Sequence, residues 1–336
     1  MVLVVVVLAL LPYIVYSGTT NTLVSFFILV TIASMWNLLA GYAGLVSVGQ
    51  QAYIGMGAYI VLFVTLHGVG PFAAIPIAAV GCAVLAVPIS LLLFRLRGGY
   101  FAIATWVVAD TCRLLVSRSE TLGGGTGAGV SGFTAANSTV VVAYTYWASL
   151  AVAVLALAAV YIVLRGRLGL ALTAVRDNEV GARSAGARVT RAKRIVYLVA
   201  GAGCGAAGAL LAVSQRFVQP GSVFSVQWSA EMIFVTVIGG IGSIEGPIIG
   251  AILYIVLQQT LSQHGAWYLI LLGMVAIVVA IWTPRGLWGL VSRRVNLRLF
   301  PVGYWLWPSA DGGGGGRRGR REAPAGEPPD TEGRLA

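Results

Sequence analysis

The residues best suited to chemistry form a polar island, Arg165 to Arg194, in which eight basic side chains interrupt long apolar runs. It reads RGRLGLALTAVRDNEVGARSAGARVTRAKR and places Arg176, Asp177, Asn178 and Glu179 in consecutive positions. Around this cluster lie small residues, with Val180, Ala182, Ala185 and Val189 at mixed three- and four-residue spacings. That pattern predicts a short helix with one partly apolar face, able to dock on a soluble partner. An Arg-rich loop between membrane-spanning segments is expected on the cytoplasmic face.

Other ionisable groups within apolar stretches are few: Asp110, Arg113, Arg216, Glu231 and Glu245. Asp110 and Arg113 are three apart, so on a helix they neutralise each other. Arg216 and Glu231 are expected near an external helix end. No span carries the carboxylate series of a proton relay, which weighs against an ion-coupled secondary transporter. The three cysteines, Cys82, Cys112 and Cys204, show no CxxC or Cys/His spacing, and the two histidines, His67 and His264, are expected at helix ends. Neither a metal site nor a disulfide framework is suggested, and no catalytic group is assigned. A P-loop needs a lysine after its last glycine. The sole lysine, Lys193, follows Ala192, and the cluster GGGTGAG at 123–129 has none.

The elements that must position these groups are set by composition. Hydrophobic residues make up 58% of the 336-residue chain and charged residues 10%, with mean hydropathy +0.88. Those values exclude an ordinary soluble domain. Continuous runs such as LAVAVLALAAVYIVL favour helices over the alternating strands of an outer-membrane barrel. The fold class is therefore all-α and polytopic, with nine or ten membrane helices, some broken or re-entrant. The predicted spans are 2–17, 22–42, 50–67, 71–94, 99–116, 140–164, 195–213, 229–240, 246–262 and 266–283. The first lacks a basic leader and a cleavage site and is expected to be a retained helix.

The formal charge of +11 follows topology rather than nucleic-acid binding. Arg95 and Arg97, the island, and the group Arg285, Arg293, Arg294 and Arg298 fall on one side if two and then four spans separate them. That parity places the C-terminus in the cytoplasm. The permease domain is expected over 1–290, with a membrane-proximal segment at 291–308. The tail, 309–336, holds five consecutive glycines, and its charges cancel from Asp311 onward; it is predicted to be disordered.

Two glycine-dense segments are candidates for the transport machinery. In GYAGLVSVGQQAYIGMGAY, the residues Gly41, Tyr42, Gly44, Ser47, Gly49, Gln50, Gly55 and Gly57 predict a broken helix beside a translocation pathway, because freed backbone groups need protein or water around them. In VIGGIGSIEGPIIGA, the four-residue spacing of Gly242, Gly246 and Gly250 suits close helix packing. Pro247 is expected to start or interrupt a helix.

Five elements in order, NLLAGYAGLVSVGQQAYIGMGAY, GGYFAIATW, LGGGTGAG, AVRDNEVGARSAGARVTRAK and GGIGSIEGPIIGA, resemble the LivM-type permeases of branched-chain amino acid ABC importers, over about 21–282. The resemblance implies a bacterial plasma-membrane permease that works with a LivH-type permease, two cytoplasmic ATPases and an extracytoplasmic substrate-binding protein. ATP and Mg²⁺ are then used by the partner ATPases, and this chain binds no cofactor. The island corresponds to the coupling loop called the EAA motif, with Val180, Gly181, Ala182 and Gly186 at its positions. Val180 replaces the usual leading glutamate, with Glu179 one position earlier. Gln50 stands where the family pattern has histidine, and similar permeases also serve urea and short amides.

Overall fold

Apolar segments of this length leave the backbone no partner but itself, so each satisfies its N–H and C=O groups as helix. The computed structural model describes residues 8–9, 12, 17–96, 98–133, 138–184, 186, 188–261, 267–282 and 286–295. The predicted span 2–17 lies almost wholly outside them, as do Arg97, Ala185, His264, Arg285, Arg298 and the segment 296–336. Among the described residues, six helices are long and apolar enough to cross a membrane.

The elements are α1 (Ser17–Asn37), continued by a π-helical turn (Leu38–Tyr42), α2 (Gln51–Leu66), α3 (Ala74–Leu93), α4 (Gly99–Ser117) and α5 (Ser138–Arg165). The polar island holds α6 (Arg167–Asp177) and α7 (Glu179–Ser184). There follow α8 (Val189–Gln215), α9 (Pro220–Val223), α10 (Val226–Gly239), α11 (Gly246–Leu261), α12 (Trp267–Trp282) and α13 (Gly286–Val295). Every predicted span from 22–42 onward coincides with one of these helices. The island differs from expectation: it forms two short helices broken at Asn178, not one.

Burial sorts the helices into a centre and a periphery. The most apolar windows of α1 and α8 are 78% and 72% buried, against 28%, 22% and 33% for those of α3, α4 and α5. Close approach at the centre depends on missing side chains. A Cβ on Gly57 would strike the Gly205 carbonyl, one on Gly208 the Ile54 carbonyl, and one on Gly205 the Cys82 side chain. Glycine here lets backbones approach to contact, the small-residue packing common where lipid gives no hydrophobic drive between helices.

The two ends of the bundle are distinguished by what meets there. At one end, two-residue strands β1 (Ala128–Gly129) and β2 (Phe217–Val218) pair antiparallel, Ala128 opposite Val218. At the other, Arg95, the turn at Gly44–Val46, Glu179, Arg183 and Lys193 share a cleft of about 590 Å³. The start of α13 reaches the same end, since a Cβ on Gly286 would strike Gly240. The basic groups around Arg95 and in the island thus share one end, as the parity argument requires.

Candidate functional site

The helix entering from α1 breaks over residues 43–50. Gly44 takes a left-handed φ of +66°, a conformation that favours glycine, and it turns the chain against Arg176. The backbone groups freed by the break are satisfied by side chains from three helices. Trp36 Nε1 donates to the Ser47 carbonyl at 2.8 Å, Val48 N donates to Thr105 Oγ1 at 3.1 Å, and Ser229 Oγ donates to the Val48 carbonyl at 3.0 Å. Ser229 also hydrogen-bonds Gln51 Oε1. Ser47, Gln50 and Gln51 are fully buried, yet Gln50 Oε1 and Gln51 Nε2 have no hydrogen-bond partner. An orphaned buried polar atom costs about 1–3 kcal/mol, so this node is held short of full satisfaction.

The expected pathway residues are divided by the structure. Gly41, Tyr42, Gly44, Ser47, Gly49 and Gln50 gather at or beside the break. Gly55 and Gly57 instead lie inside the unbroken α2, where Gly55 faces the Phe224 ring and Gly57 the Gly205 backbone. Their role is packing. Gly49 is equally close to the Thr105 carbonyl.

A junction ties this break to the polar island. Arg176 Nη1 donates to the Gly41 carbonyl at 2.9 Å. Asn37 spans to the loop before α11, with Nδ2 donating to the Ser243 carbonyl at 2.7 Å and Oδ1 accepting from Gly242 N at 2.8 Å. Three stretches distant in sequence, 37–41, 176 and 242–243, thereby meet at one point. Gly242 departs from the helix-packing expectation: its φ is +79° and it sits in a turn beside Arg176. Gly246 and Gly250 behave as expected, approaching the Gly240 and Val235 carbonyls. Pro247 falls in the first turn of α11, where its missing N–H costs nothing.

Within the island each polar residue has its own structural task. Asn178 Oδ1 accepts from Gly181 N at 2.9 Å, capping the start of α7. Glu179 accepts from Arg183 and from Lys193, each at 2.8 Å, and so clamps α7 onto α8. The hydrogen bond from Lys193, then its charge and that of Arg183, hold the Glu179 carboxyl below the usual carboxylate range against a smaller opposing effect of burial. Ala182 packs with Val175 and Val189 in a small separate core. Asp177 and Val180 lie on described backbone, at the end of α6 and the start of α7. Arg176, Asn178 and Glu179, expected to face a partner, each bond within this chain, while Arg176 and Asn178 also stay exposed. The exposed surface around Gly186 consists of Gly181, Arg183, Ser184, Gly186, Arg188 and Arg191. Gly186 turns the chain from α7 to α8 with φ +84° and open space where a Cβ would stand.

Two charged groups lie in the spans. Arg113 Nε donates to Asp110 Oδ1 at 2.8 Å, with side chains 37% and 52% exposed on the outward face of α4. Glu231 lies in the second turn of α10, on the side of the α9–α10 connection, and lines a cavity. Arg216 does end a helix, as the left-handed cap of α8. Among the described residues, no cluster of His, Cys, Asp and Glu could hold a metal ion.

Comparison with known proteins accords with this architecture. The family described as branched-chain amino acid transport system / permease component matches residues 18–280. The high-affinity branched-chain amino acid transport system permease proteins LivM of Salmonella typhimurium and Escherichia coli are each 28% identical over 314 residues, covering 85% of this chain and 74% of theirs. No solved structure matches the chain. With the match running from the second residue of α1 nearly to the end of α12, this chain belongs to the family of permease components of branched-chain amino acid transport systems.

Proposed function

We propose that this chain is the membrane-spanning permease subunit of an ATP-driven importer of branched-chain amino acids. It works with a LivH-type permease, two cytoplasmic ATPases that use ATP and Mg²⁺, and an extracytoplasmic substrate-binding protein. The island end faces the cytoplasm, as does the C-terminus, in a bacterial plasma membrane.

The observation that carries this reading is the junction at Arg176. The α6–α7 unit offers an outward face around Gly186 and is tied to the bundle at two described points, Glu179 with Lys193 of α8 and Arg176 with Gly41 beside the break; the second leads to the π-helical turn. A push on that face by a closing ATPase pair moves Arg176, and Arg176 moves the π-helical turn together with the loop at Gly242. The node at 43–50 is the element this motion reaches, and its buried Gln50 Oε1 and Gln51 Nε2 lack partners in the arrangement described. Two-state elements of this kind couple distant sites.

The exposed pair Asp110–Arg113 supports a second permease. A charged pair facing hydrocarbon is costly, whereas the outward residues of α3, among them Val80, Val84 and Leu91, are apolar. The α3 face suits lipid, and the α4 face suits protein or an aqueous pathway shared with a partner. The test is pull-down of the tagged chain from membranes in mild detergent with mass spectrometry of what co-purifies. Two P-loop ATPases and a second permease are expected; a chain that purifies alone and moves solute without ATP points to secondary transport.

A further inference from the structure

One cavity lies away from the coupling junction. It opens among α1, α8, α10 and α11, measures about 340 Å³, and includes Gly221 and Ser222 of the broken α9–α10 connection in its wall. That volume is ample for a small amino acid. Its wall is chemically divided. Leu29 and Leu211 give an aliphatic side, while Trp228, Glu231 and Tyr254 give an aromatic and acidic side, and no basic residue lines it. Glu231 takes hydrogen bonds from neutral donors, Gln227 Nε2 at 2.9 Å and the Tyr254 hydroxyl. Among the described residues this carboxylate has only neutral donors and no countercharge, a costly state inside a membrane span.

We propose that this cavity binds an aliphatic α-amino acid, with the Glu231 carboxylate accepting the ammonium group and Leu29 and Leu211 receiving the side chain. The inference rests on the importer reading for its substrate class and adds the place and the recognition chemistry. The substrate's carboxylate, on the same carbon as the ammonium, turns toward the open mouth at Ser25 and the hydroxyls of Ser222 and Ser225 that line the cavity. Glu231 lies one helical turn from Trp228 and two positions from Ser229, which bonds the broken backbone at Val48. Occupancy of the cavity is thereby reported through α10 to the break, and through Gly41 to Arg176.

The test is competition binding of tritiated leucine to the full chain in lipid nanodiscs, with 3-methylbutylamine (no carboxylate) and 4-methylpentanoate (no ammonium) as competitors. Leucine and the amine displace the label and the acid does not. E231Q keeps size and neutral hydrogen bonding, and is expected to weaken leucine binding about 10- to 100-fold, the worth of a hydrogen bond to a charged group. Ser25 is exposed, so S25W fills the mouth from a position with room and blocks binding, with monodispersity on size exclusion checking its fold. Absence of leucine binding to the wild-type chain, unaltered binding by E231Q, or displacement by the acid as readily as by the amine overturns the proposal. None of these results touches co-purification of the ATPases, so the cavity and the importer reading fail separately.

Discussion

Gly41 and Gly186 are both glycines near the coupling end, and they are glycines for opposite reasons. A Cβ on Gly41 would stand 2.7 Å from Gly242 N and against Asn37 Oδ1, so the position is closed by the chain's own packing. Gly186 has nothing within 4 Å where its Cβ would be, and its left-handed φ serves a turn that leaves the surface open. In the proposed coupling scheme the first glycine belongs to the transmission and the second to the handle. The difference separates substitutions that break the molecule from those that break only its use.

The largest expected effect follows at the closed position. Gly41→Val forces Asn37 and the 240–243 loop apart, an overpacking cost of about 1–3 kcal/mol or more, and is expected to cut the yield of folded chain in membranes several-fold. Normal yield and thermal stability would show that the junction is looser than its geometry. Gly186→Trp is the counterpart: its side chain meets open space but strains a left-handed φ, so insertion persists and yield falls less than for Gly41→Val, while substrate-stimulated ATP hydrolysis in the assembled complex falls at least about tenfold, the size of one disrupted hot-spot contact. Unchanged hydrolysis removes Gly186 from the docking face.

Arg176→Ala sharpens the comparison between them. It leaves the outward face intact and severs the bond to Gly41, so ATPases should still co-purify while uptake falls relative to ATP hydrolysis. Equal loss of both activities would place Arg176 in docking rather than transmission. The smallest effect is the pH dependence of the Glu179 clamp. Because its folded pKa is depressed, the clamp's contribution is present above the ordinary carboxylate pKa, about 4.3, and is lost as pH falls through the lower folded value. Hydrogen exchange in α7 should therefore be flat near neutrality and rise only in that acidic window. A rise between pH 8 and pH 6 contradicts the assignment.

Local relations were legible in the sequence, and relations between distant segments were not. Asp110 and Arg113 are one helical turn apart, so their pairing follows from spacing alone, and the spans follow from apolar length. Asn178 illustrates the first limit. An Asn before a short helix competes for its own backbone, so Asn178 caps α7 even though it stands in a charged cluster whose composition suggests a partner. Arg176 with Gly41, and Asn37 with Gly242, are separated by 135 and 205 positions; no periodicity carries that information. The same holds for Gly242, whose regular spacing with Gly246 and Gly250 suggested a helix face that its turn conformation forbids. Glu231 reads in the sequence as a lone acidic group near a helix end, and only the approach of Tyr254 from α11 discloses the cavity.

The central claim is that the face around Gly186 is where a partner ATPase pushes. A photo-crosslinking residue at Arg188, which is exposed beside that turn, tests it in intact membranes of cells carrying the whole transporter, with a matched probe at the exposed Leu115, near the opposite end of α4, as reference. The account predicts that light links the Arg188 probe to a P-loop ATPase and the Leu115 probe to none. An Arg188 probe that captures lipid or water alone, in cells where the ATPases co-purify with the chain, would contradict it.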